Sequence, residues 1–397
     1  MMRLIVFCIV LLTASQAAAE LTEAEAVRRG LAQADVRAAL EARQQAAAGD
    51  ALAAGRWANP EIEYSRESVD LPAGESRETS LWIRQRLNIA GVRGLERDAA
   101  VELEGAAAAH AEIARREIAA DIRRLFYDAM AAEAQAHMAR RWQGRLGQLA
   151  SSVAERVAAG DASRYDLLRI ERELALWRGE VLDWEARAVS TRDRLFSRVG
   201  GPPALLAGEL LPAAIDASSA DTIVADHPLL AALDAEARSA ALSSRAAGRR
   251  TWPEVTVGVG RRDVDEPGIA GDGNMVMLGV EVPLFDRGDG EEFAAQSRAR
   301  RLEAERRLAA NRLDAEARAA LRSMEAGREA ALLLQSGDDG DDSLAAIAED
   351  AYQAGEIGVM ELIDAHRADL AAQREAIQRA RAARDSLIEL QFLRGEL

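Results

Sequence analysis

The sequence contains no lysine, and arginine supplies all 50 of its basic residues. Aspartate and glutamate number 66, so the formal net charge is −16 at pH 7. An acidic chain without a basic cluster is a poor ligand for nucleic acid, and we expect no nucleic-acid partner. The sequence also lacks a nucleophile–base pair, a phosphate-binding glycine loop and a metal-ligand triad. We therefore expect no enzyme activity, no cofactor and no bound metal.

Cysteine and long hydrophobic runs are also scarce. The only cysteine, Cys8, lies in the apolar run of residues 4–13, which follows one arginine and precedes the small residues 17–19. This order is typical of a secretory signal peptide, so we expect residues 1–19 to be cleaved off. The mature chain would then have no disulfide, no thiolate metal ligand and no cysteine nucleophile. A run of about ten apolar residues is too short for a transmembrane helix, which needs roughly 20.

What the chain does contain is alanine, leucine and an internal repeat. Hydrophobic residues make up 49% of the sequence but aromatic residues only 4%, a composition typical of long helices. The motif Ala-Ala-Gly-Arg occurs at residues 53–56 and again at 246–249, and each copy is followed by Trp and then Pro-Glu. Residues 156–172 also match residues 350–367, with Gly160 aligned to Gly355, an offset of 195 residues against 193 for the first motif. Two landmarks with one spacing indicate a duplicated architecture.

Each copy has a glycine turn between two helical patterns. In the second copy Gly355 ends one helical pattern, and the next begins at Val359. Gly160 occupies the position of Gly355 in the first copy. Glycine suits the left-handed conformation that commonly closes a helix. The sequence therefore predicts two helical hairpins, with tips near residues 160 and 355.

The hydrophobic period changes to two before each helical hairpin. Apolar and polar residues alternate over residues 61–65 and, after a predicted loop at 69–78, over 79–89. This pattern predicts a β-hairpin at about 59–90, and the second copy predicts another at about 253–285. Each return strand has one apolar and one polar face, and a length of about ten residues suits a tilted transmembrane strand. Four strands cannot close a membrane barrel alone, so several chains must share one or the hairpins must be buried another way.

The predicted fold is mostly α with a small β part, in which a β-hairpin and a long coiled-coil helical hairpin occur twice. Helical patterns cover residues 21–55, 92–158, 163–198, 287–353 and 359–394, and the glycine- and aspartate-rich residues 336–342 interrupt the fourth. Ile118, Ile122 and Leu125 begin a 4-3 spacing that predicts a coiled-coil seam. The predicted domains are a signal peptide (1–19), a first repeat (20–199), a linker (200–226) and a second repeat (227–397).

These motifs, in this order, resemble the outer-membrane efflux protein (TolC) family over essentially the whole mature chain. The motifs that carry the resemblance are Asn59-Pro60-Glu61, Gln85-Arg86-Leu87 with Gly91-Val92-Arg93, Val282-Pro283-Leu284-Phe285-Asp286, and Tyr352-Gln353-Ala354-Gly355 with Glu361-Leu362-Ile363-Asp364-Ala365. The stretch of residues 78–94 is most similar to the CzcC-like branch, which is associated with heavy-metal cation efflux.

The resemblance implies a passive exit duct in a tripartite efflux system of a Gram-negative cell. Its implied form is a homotrimer with a twelve-stranded β-barrel in outer-membrane lipid and an α-helical tunnel through the periplasm. The implied partners are a periplasmic adaptor (membrane fusion) protein and an inner-membrane pump of the RND type. Drug efflux and type I secretion are alternatives to heavy-metal efflux.

The resemblance also implies roles for the two hairpin tips. The residues that match the family's periplasmic gate and acidic constriction are Tyr352, Glu361, Asp364 and Asp166. The residues at the tips that would contact the adaptor are Gly160, Asp161, Gly355 and Glu356. An alternative needs no pore: acidic residues in a first helical turn complement the helix dipole, and Ser163 with Asp166 would cap the second helix.

Several further residues have two interpretations. Met275 and Met277 share one strand face and either contact a soft metal or fill space in the lumen or against lipid. The acidic loop from Asp338 to Asp342 either attracts calcium or an adaptor, or is a solvated break. The aromatic residues near the strands either lie at a membrane interface or pack where helix meets sheet: Trp57, Tyr64, Trp82, Trp252 and Phe285. The four histidines show no ligand spacing, and His366 is expected at the surface or in a groove.

A soluble periplasmic coiled-coil adaptor is the alternative of a different class. Such an adaptor would have one helical hairpin flanked by halves of small β-domains. The duplicated amphipathic strand pairs favour the channel instead.

Overall fold

The computed structural model describes residues 20–72, 74–215, 226–336 and 343–396. The predicted signal peptide and the acidic loop of residues 338–342 lie outside this part of the chain. The described elements are, in order, β1 (Glu20–Thr22), α1 (Glu23–Leu31), α2 (Ala34–Ala54), β2 (Glu61–Leu71), β3 (Gly74–Leu87), α3 (Val92–Ala159), α4 (Arg164–Val199), β4 (Leu205–Ala207), α5 (Pro228–Gly248), β5 (Glu254–Glu266), β6 (Ile269–Glu281), α6 (Asp289–Gln335), α7 (Leu344–Ala354) and α8 (Val359–Arg394). Among these described helices, none combines the length and the apolar character needed to cross a membrane.

The predicted helix over residues 21–55 is wrong at its beginning. Residues 20–22 form a strand, and the helical part is divided at Gln33, whose ψ of 137° is not helical. Thr22 caps α1, because its hydroxyl oxygen accepts the N–H of Glu25 at 3.3 Å. Strand β1 pairs in parallel with β4, which lies within the predicted linker. This pairing buries Leu21 completely and attaches the linker to the helical core.

The two predicted β-hairpins combine into one antiparallel sheet with the order β2-β3-β5-β6. Strands β3 and β5 join them, with Ile83 opposite Val259. The predicted loop at residues 69–78 is wrong, because β2 continues to residue 71 and β3 begins at Gly74. Strand β3 also ends at Leu87, two residues earlier than predicted. Within the described chain, the outer edges of β2 and β6 have no partner strand.

The long helices follow the predicted bounds closely. Helix α3 has 68 residues, which corresponds to about 100 Å at 1.5 Å per residue. Within the helical pattern predicted over residues 287–353, α6 covers Asp289–Gln335 and α7 covers Leu344–Ala354. The glycine and aspartate residues 337–342, which are predicted to interrupt it, lie outside the described part of the chain. Helix α4 packs on α3, α3 packs on α8, and α8 packs on α6. The two helical hairpins therefore form one series, α4-α3-α8-α6, with α4 and α6 at its ends.

Alanine makes this close helix packing possible. Ala129, Ala139 and Ala383 have no exposed surface, and Ala120 and Ala136 have almost none. Small side chains at an interface let the helix backbones approach closely, and larger residues then fill the gaps that remain. Phe126, Leu195 and Ile388 come from three different helices and meet in one buried cluster. The helical core is thus shared by both copies of the repeat.

Candidate functional site

The two hairpin tips lie together at one end of the helical series. Gly160 and Gly355 both adopt the left-handed conformation, with φ of 88° and 75°. The N–H of Asp161 and that of Glu356 each donate back to the preceding helix at 2.8 Å. The predicted adaptor contacts, Gly160, Asp161, Gly355 and Glu356, are all exposed. Behind them, Val153, Ile170, Leu362 and Ile363 form one buried cluster from both tips.

Tyr352 belongs to this buried cluster. Its side chain is only 9% exposed and packs with residues of α3, α4 and α8. The guanidinium of Arg156, from the first tip, lies 5.2 Å from the centre of its ring. A cation over an aromatic face is attracted by the ring quadrupole. Tyr352 therefore joins the two tips within one chain.

Two of the predicted gate carboxylates cap helices. The Asp166 N–H donates to the Ser163 hydroxyl at 3.1 Å, and that hydroxyl donates to Asp166 Oδ2 at 2.8 Å. At the start of α8, Glu361 Oε2 accepts the N–H of Gly358 at 3.1 Å. The interpretation as caps thus describes what both carboxylates do in a single chain.

The fourth predicted gate residue, Asp364, belongs to an ion network that the sequence did not reveal. Arg367 Nη1 lies 3.6 Å from Asp364 Oδ1, and the same guanidinium donates to both oxygens of Glu173 at 3.1 and 2.5 Å. Glu173 is only 8% exposed and also accepts the indole N–H of Trp177 at 3.2 Å. The hydrogen bond to Glu173 is the main cause of a raised pKa at Arg367. The network connects α4 to α8.

We expect Glu173→Ala to destabilise the helical hairpins by about 1–3 kcal/mol, because Arg367 and Trp177 both lose their acceptor. Thermal unfolding in detergent, followed by circular dichroism, should show a midpoint lower by several degrees. Glu171→Ala is the matched control, since Glu171 is exposed about half a turn away and makes none of the contacts described for the network. Equal midpoints for the two variants would show that the network contributes no stability.

The four-stranded sheet has one apolar face, which is exposed. Its residues follow the register across the strands, so that Ile62, Ile83, Val259 and Val276 form one row. Val276 is 85% exposed and Ile62 is 69% exposed. The other members of the apolar face are Tyr64, Leu81, Leu87, Val255, Val257, Leu278 and Val280. This band extends for about 20 Å along the strands, given roughly 3.3 Å per residue.

The opposite, polar face contains charges and methionines. Arg84 pairs with Glu63, and Arg86 Nε lies 3.6 Å from Glu254 Oε2. Met275 and Met277 are half-buried on this face, opposite Gly260 and Gly258. Among the residues that the structure describes, no group of three His, Cys, Asp or Glu side chains could hold a metal ion.

The aromatic residues near the strands are largely exposed. Trp57, Tyr64 and Trp252 are 54%, 63% and 63% exposed, and Phe285 is fully exposed. Only Trp82 is half-buried, because its ring lies over Gly260. The guanidinium of Arg93 covers one face of Trp57, 4.1 Å from the ring centre. Tyr64 and Trp82 lie in the sheet, whereas Trp57, Trp252 and Phe285 lie just outside the strands, at the end of the sheet that joins the helices.

The histidines do not share a site. His110 Nε2 lies 2.9 Å from Glu236 Oε1, and His227 accepts the N–H of Leu229 at the start of α5. His137 is exposed, whereas His366 is buried in a groove near the second tip.

No family model matches the chain, and no curated protein matches its sequence. Solved structures match its fold. The outer-membrane channel OprN is 17% identical, with a TM-score of 0.77 over 94% of this chain and 89% of that chain. The outer membrane protein VceC of Vibrio cholerae is 17% identical, with a TM-score of 0.76 over 94% and 96%. The chain has the fold of these outer-membrane channels.

The MtrE outer membrane channel of Neisseria gonorrhoeae gives the same result, with 15% identity and a TM-score of 0.75 over 94% of this chain and 88% of that chain. The prediction of a mostly α fold with a small antiparallel β part is therefore confirmed. These neighbours are channel proteins rather than enzymes. Their fold agrees with the fold that the resemblance implies, whereas the CzcC-like branch and the trimer stay predictions.

Proposed function

We propose that this chain is one subunit of a homotrimeric outer-membrane channel that extends into the periplasm of a Gram-negative cell. In this proposal the four-stranded sheets of three chains close a twelve-stranded barrel in outer-membrane lipid. The helical hairpins form the periplasmic tunnel. The channel is a passive duct for substrate that an inner-membrane pump of the RND type and a periplasmic adaptor deliver.

The observation that carries this proposal is the exposed apolar face of the sheet between two open edges. An apolar band of about 20 Å is close to the band of roughly 25 Å on outer-membrane barrels. Beyond it, toward the β5–β6 turn, the same face becomes charged, and Arg261 pairs with Asp272 at 2.7 Å. Backbone groups at an open strand edge cannot remain unpaired in lipid. Pairing β6 of one chain with β2 of the next satisfies both edges.

The ends of the helical series give independent support. Helix α4 exposes Leu168, Leu182 and Val189, each by more than half of its surface, although all three lie on a long amphipathic helix. Helix α6, at the other end, exposes Leu308 and Leu333 by 69% each. Apolar side chains at coiled-coil spacing are normally covered by a partner helix. A neighbouring subunit that places α6 against α4 would cover both ends.

We expect the mature protein to be a trimer in the outer-membrane fraction. Three copies of four strands give the twelve-stranded closed barrel of the proposal, in which every edge is paired. Mass measurement in mild detergent should give three times the mass of one mature chain. A stable monomer, or release of the protein with the soluble periplasm, would contradict the proposal.

Heavy-metal cations are the proposed substrate class, on the basis of the similarity of residues 78–94 to the CzcC-like branch. Drug efflux and type I secretion are the alternatives, because a passive tunnel accepts what its pump delivers. A pump gene beside this one, of the metal or the drug class, would distinguish them. The exposed tips at Gly160, Asp161, Gly355 and Glu356 are the proposed adaptor contacts.

A soluble adaptor is less well supported. It would have one helical hairpin, whereas α3 with α4 and α6–α7 with α8 make two. Its β-domains would also bury their apolar faces, whereas Val276 and Leu278 are 85% and 69% exposed.

A further inference from the structure

The short helix α7 is attached to α8 by two polar contacts as well as by apolar packing. The N–H of Ala345 donates to Asp369 Oδ2 at 3.2 Å. One turn further on, Glu349 Oε1 lies 3.1 Å from Nε2 of His366. Ala348 and Tyr352 pack into the tip cluster on the same side. Because α7 ends at the Gly355 turn, these contacts hold the second tip in place.

His366 lies where three helices meet. Its side chain is 5% exposed, and its ring centre is 4.8 Å from that of Trp142 on α3, at an interplanar angle of 37°. Glu349 approaches it from α7. The imidazole therefore has an aromatic face on one side and a single carboxylate partner on the other.

The charged groups around His366 act in opposite directions. Burial is the main influence and lowers the pKa of His366 below its ordinary value of 6.5. Arg145 on α3 lowers this pKa further, whereas Glu349 on α7 and Asp369 on α8 raise it. Burial prevails, so the imidazole is neutral at pH 7 and its N–H can donate to Glu349.

We propose that His366 and Glu349 form an acid-sensitive latch that holds α7 against α3 and α8. A protonated imidazole in this buried layer lacks the hydration that it gains when α7 separates from the groove. The docked state thus binds fewer protons than the separated state. The docking of α7 is strongest above pH 6.5 and weakens as the pH falls below that value. Because one proton is taken up, the docking equilibrium constant falls by at most about tenfold per pH unit.

The first tip is an internal control for this latch. Its residue at the position of His366 is Glu171, which is exposed and lies on α4. Val157 stands in the first copy where Tyr352 stands in the second. The first tip therefore has no buried imidazole, and only the second tip should respond to acid.

Hydrogen–deuterium exchange of the full-length protein tests the latch, with rates at about pH 7.5 and about pH 5.5 corrected for intrinsic exchange. We expect the protection of the α7 amides to fall by up to about tenfold at the lower pH. Amides beside Gly160 should keep their protection. In His366→Phe, which retains a ring against Trp142 but cannot be protonated, the protection of α7 should not depend on pH.

Glu349→Gln is a second, milder variant that keeps an acceptor for the imidazole. It removes a charge that raises the pKa of His366 in the docked state, so the loss of protection should still begin near pH 6.5 but extend to lower pH and become at least as large as in the wild type. Glu349→Gln tests the latch by itself if His366→Phe does not fold. Unchanged protection of α7 in the wild-type chain, tighter docking in acid, or a smaller acid-induced loss in Glu349→Gln than in the wild type would overturn the latch. The latch is a property of a single chain, so the measurement needs no channel activity.

Discussion

Val276→Arg is expected to prevent assembly in the outer membrane. Val276 is 85% exposed in the middle of the apolar face, where the proposed barrel contacts lipid. Arginine at the bilayer midplane costs about 2–4 kcal/mol in a β-barrel, and a trimer carries this cost three times. The total is comparable to the whole stability of many folded domains. The trimer should disappear from outer-membrane fractions on gels of unheated samples.

Met277→Arg is the matched control for this substitution. Met277 is the next residue of β6, and its side chain lies on the polar face in the row of Arg84 and Glu61. The same change of residue, one position away, should therefore leave the trimer assembled and change only the conductance of the pore. Assembly of Val276→Arg at the wild-type level, or equal failure of both variants, would show that the two faces are not divided between lipid and lumen.

The double variant Tyr352→Ala with Asp364→Ala is expected to open the resting channel. Truncation of a buried aromatic side chain to alanine removes about 3–5 kcal/mol of packing, and Tyr352 packs where the two tips meet. Loss of Asp364 removes one of the two carboxylate partners of Arg367. Single-channel recordings in planar bilayers should show a larger resting conductance. Cation preference should fall, since three tip carboxylates per chain would place about nine near one opening of a trimer.

A double variant of the first tip, Asp161→Ala with Tyr165→Ala, is the control for this experiment. Tyr165 is 66% exposed, and Asp161 is exposed as well, so the same residue types are removed without loss of buried packing. Its conductance should equal that of the wild-type channel. If the Tyr352 variant assembles with unchanged conductance and cation preference, the gate is rejected. If the Tyr352 and Asp364 double variant shows lower thermal stability and nothing else, Asp166 and Glu361 keep only the capping role that their contacts show.

The local elements were largely determined by the sequence alone. Alternation with period two located both β-hairpins, and Gly160 and Gly355 marked the tips because their left-handed backbone excludes most other residues. The bounds predicted for α3 differ from the observed bounds by one residue at the end. The capping of α4 by Ser163 and Asp166 was also predicted as an alternative. All of these features depend on residues within a few positions of one another, so one sequence is enough to reveal them.

The tertiary structure decided the features that depend on distant residues. Strand β2 continues to residue 71 and β3 begins at Gly74, within the predicted loop, because ladder hydrogen bonds between β2 and β3 do not require apolar side chains. Strand β1 forms only because β4, far along the chain, lies beside it. The burial of Tyr352, the contact of Arg367 with Glu173 and the position of His366 on Trp142 each join different helices. Periodicity reports which face of a helix is apolar, but only the packing of the helices determines which residues that face meets.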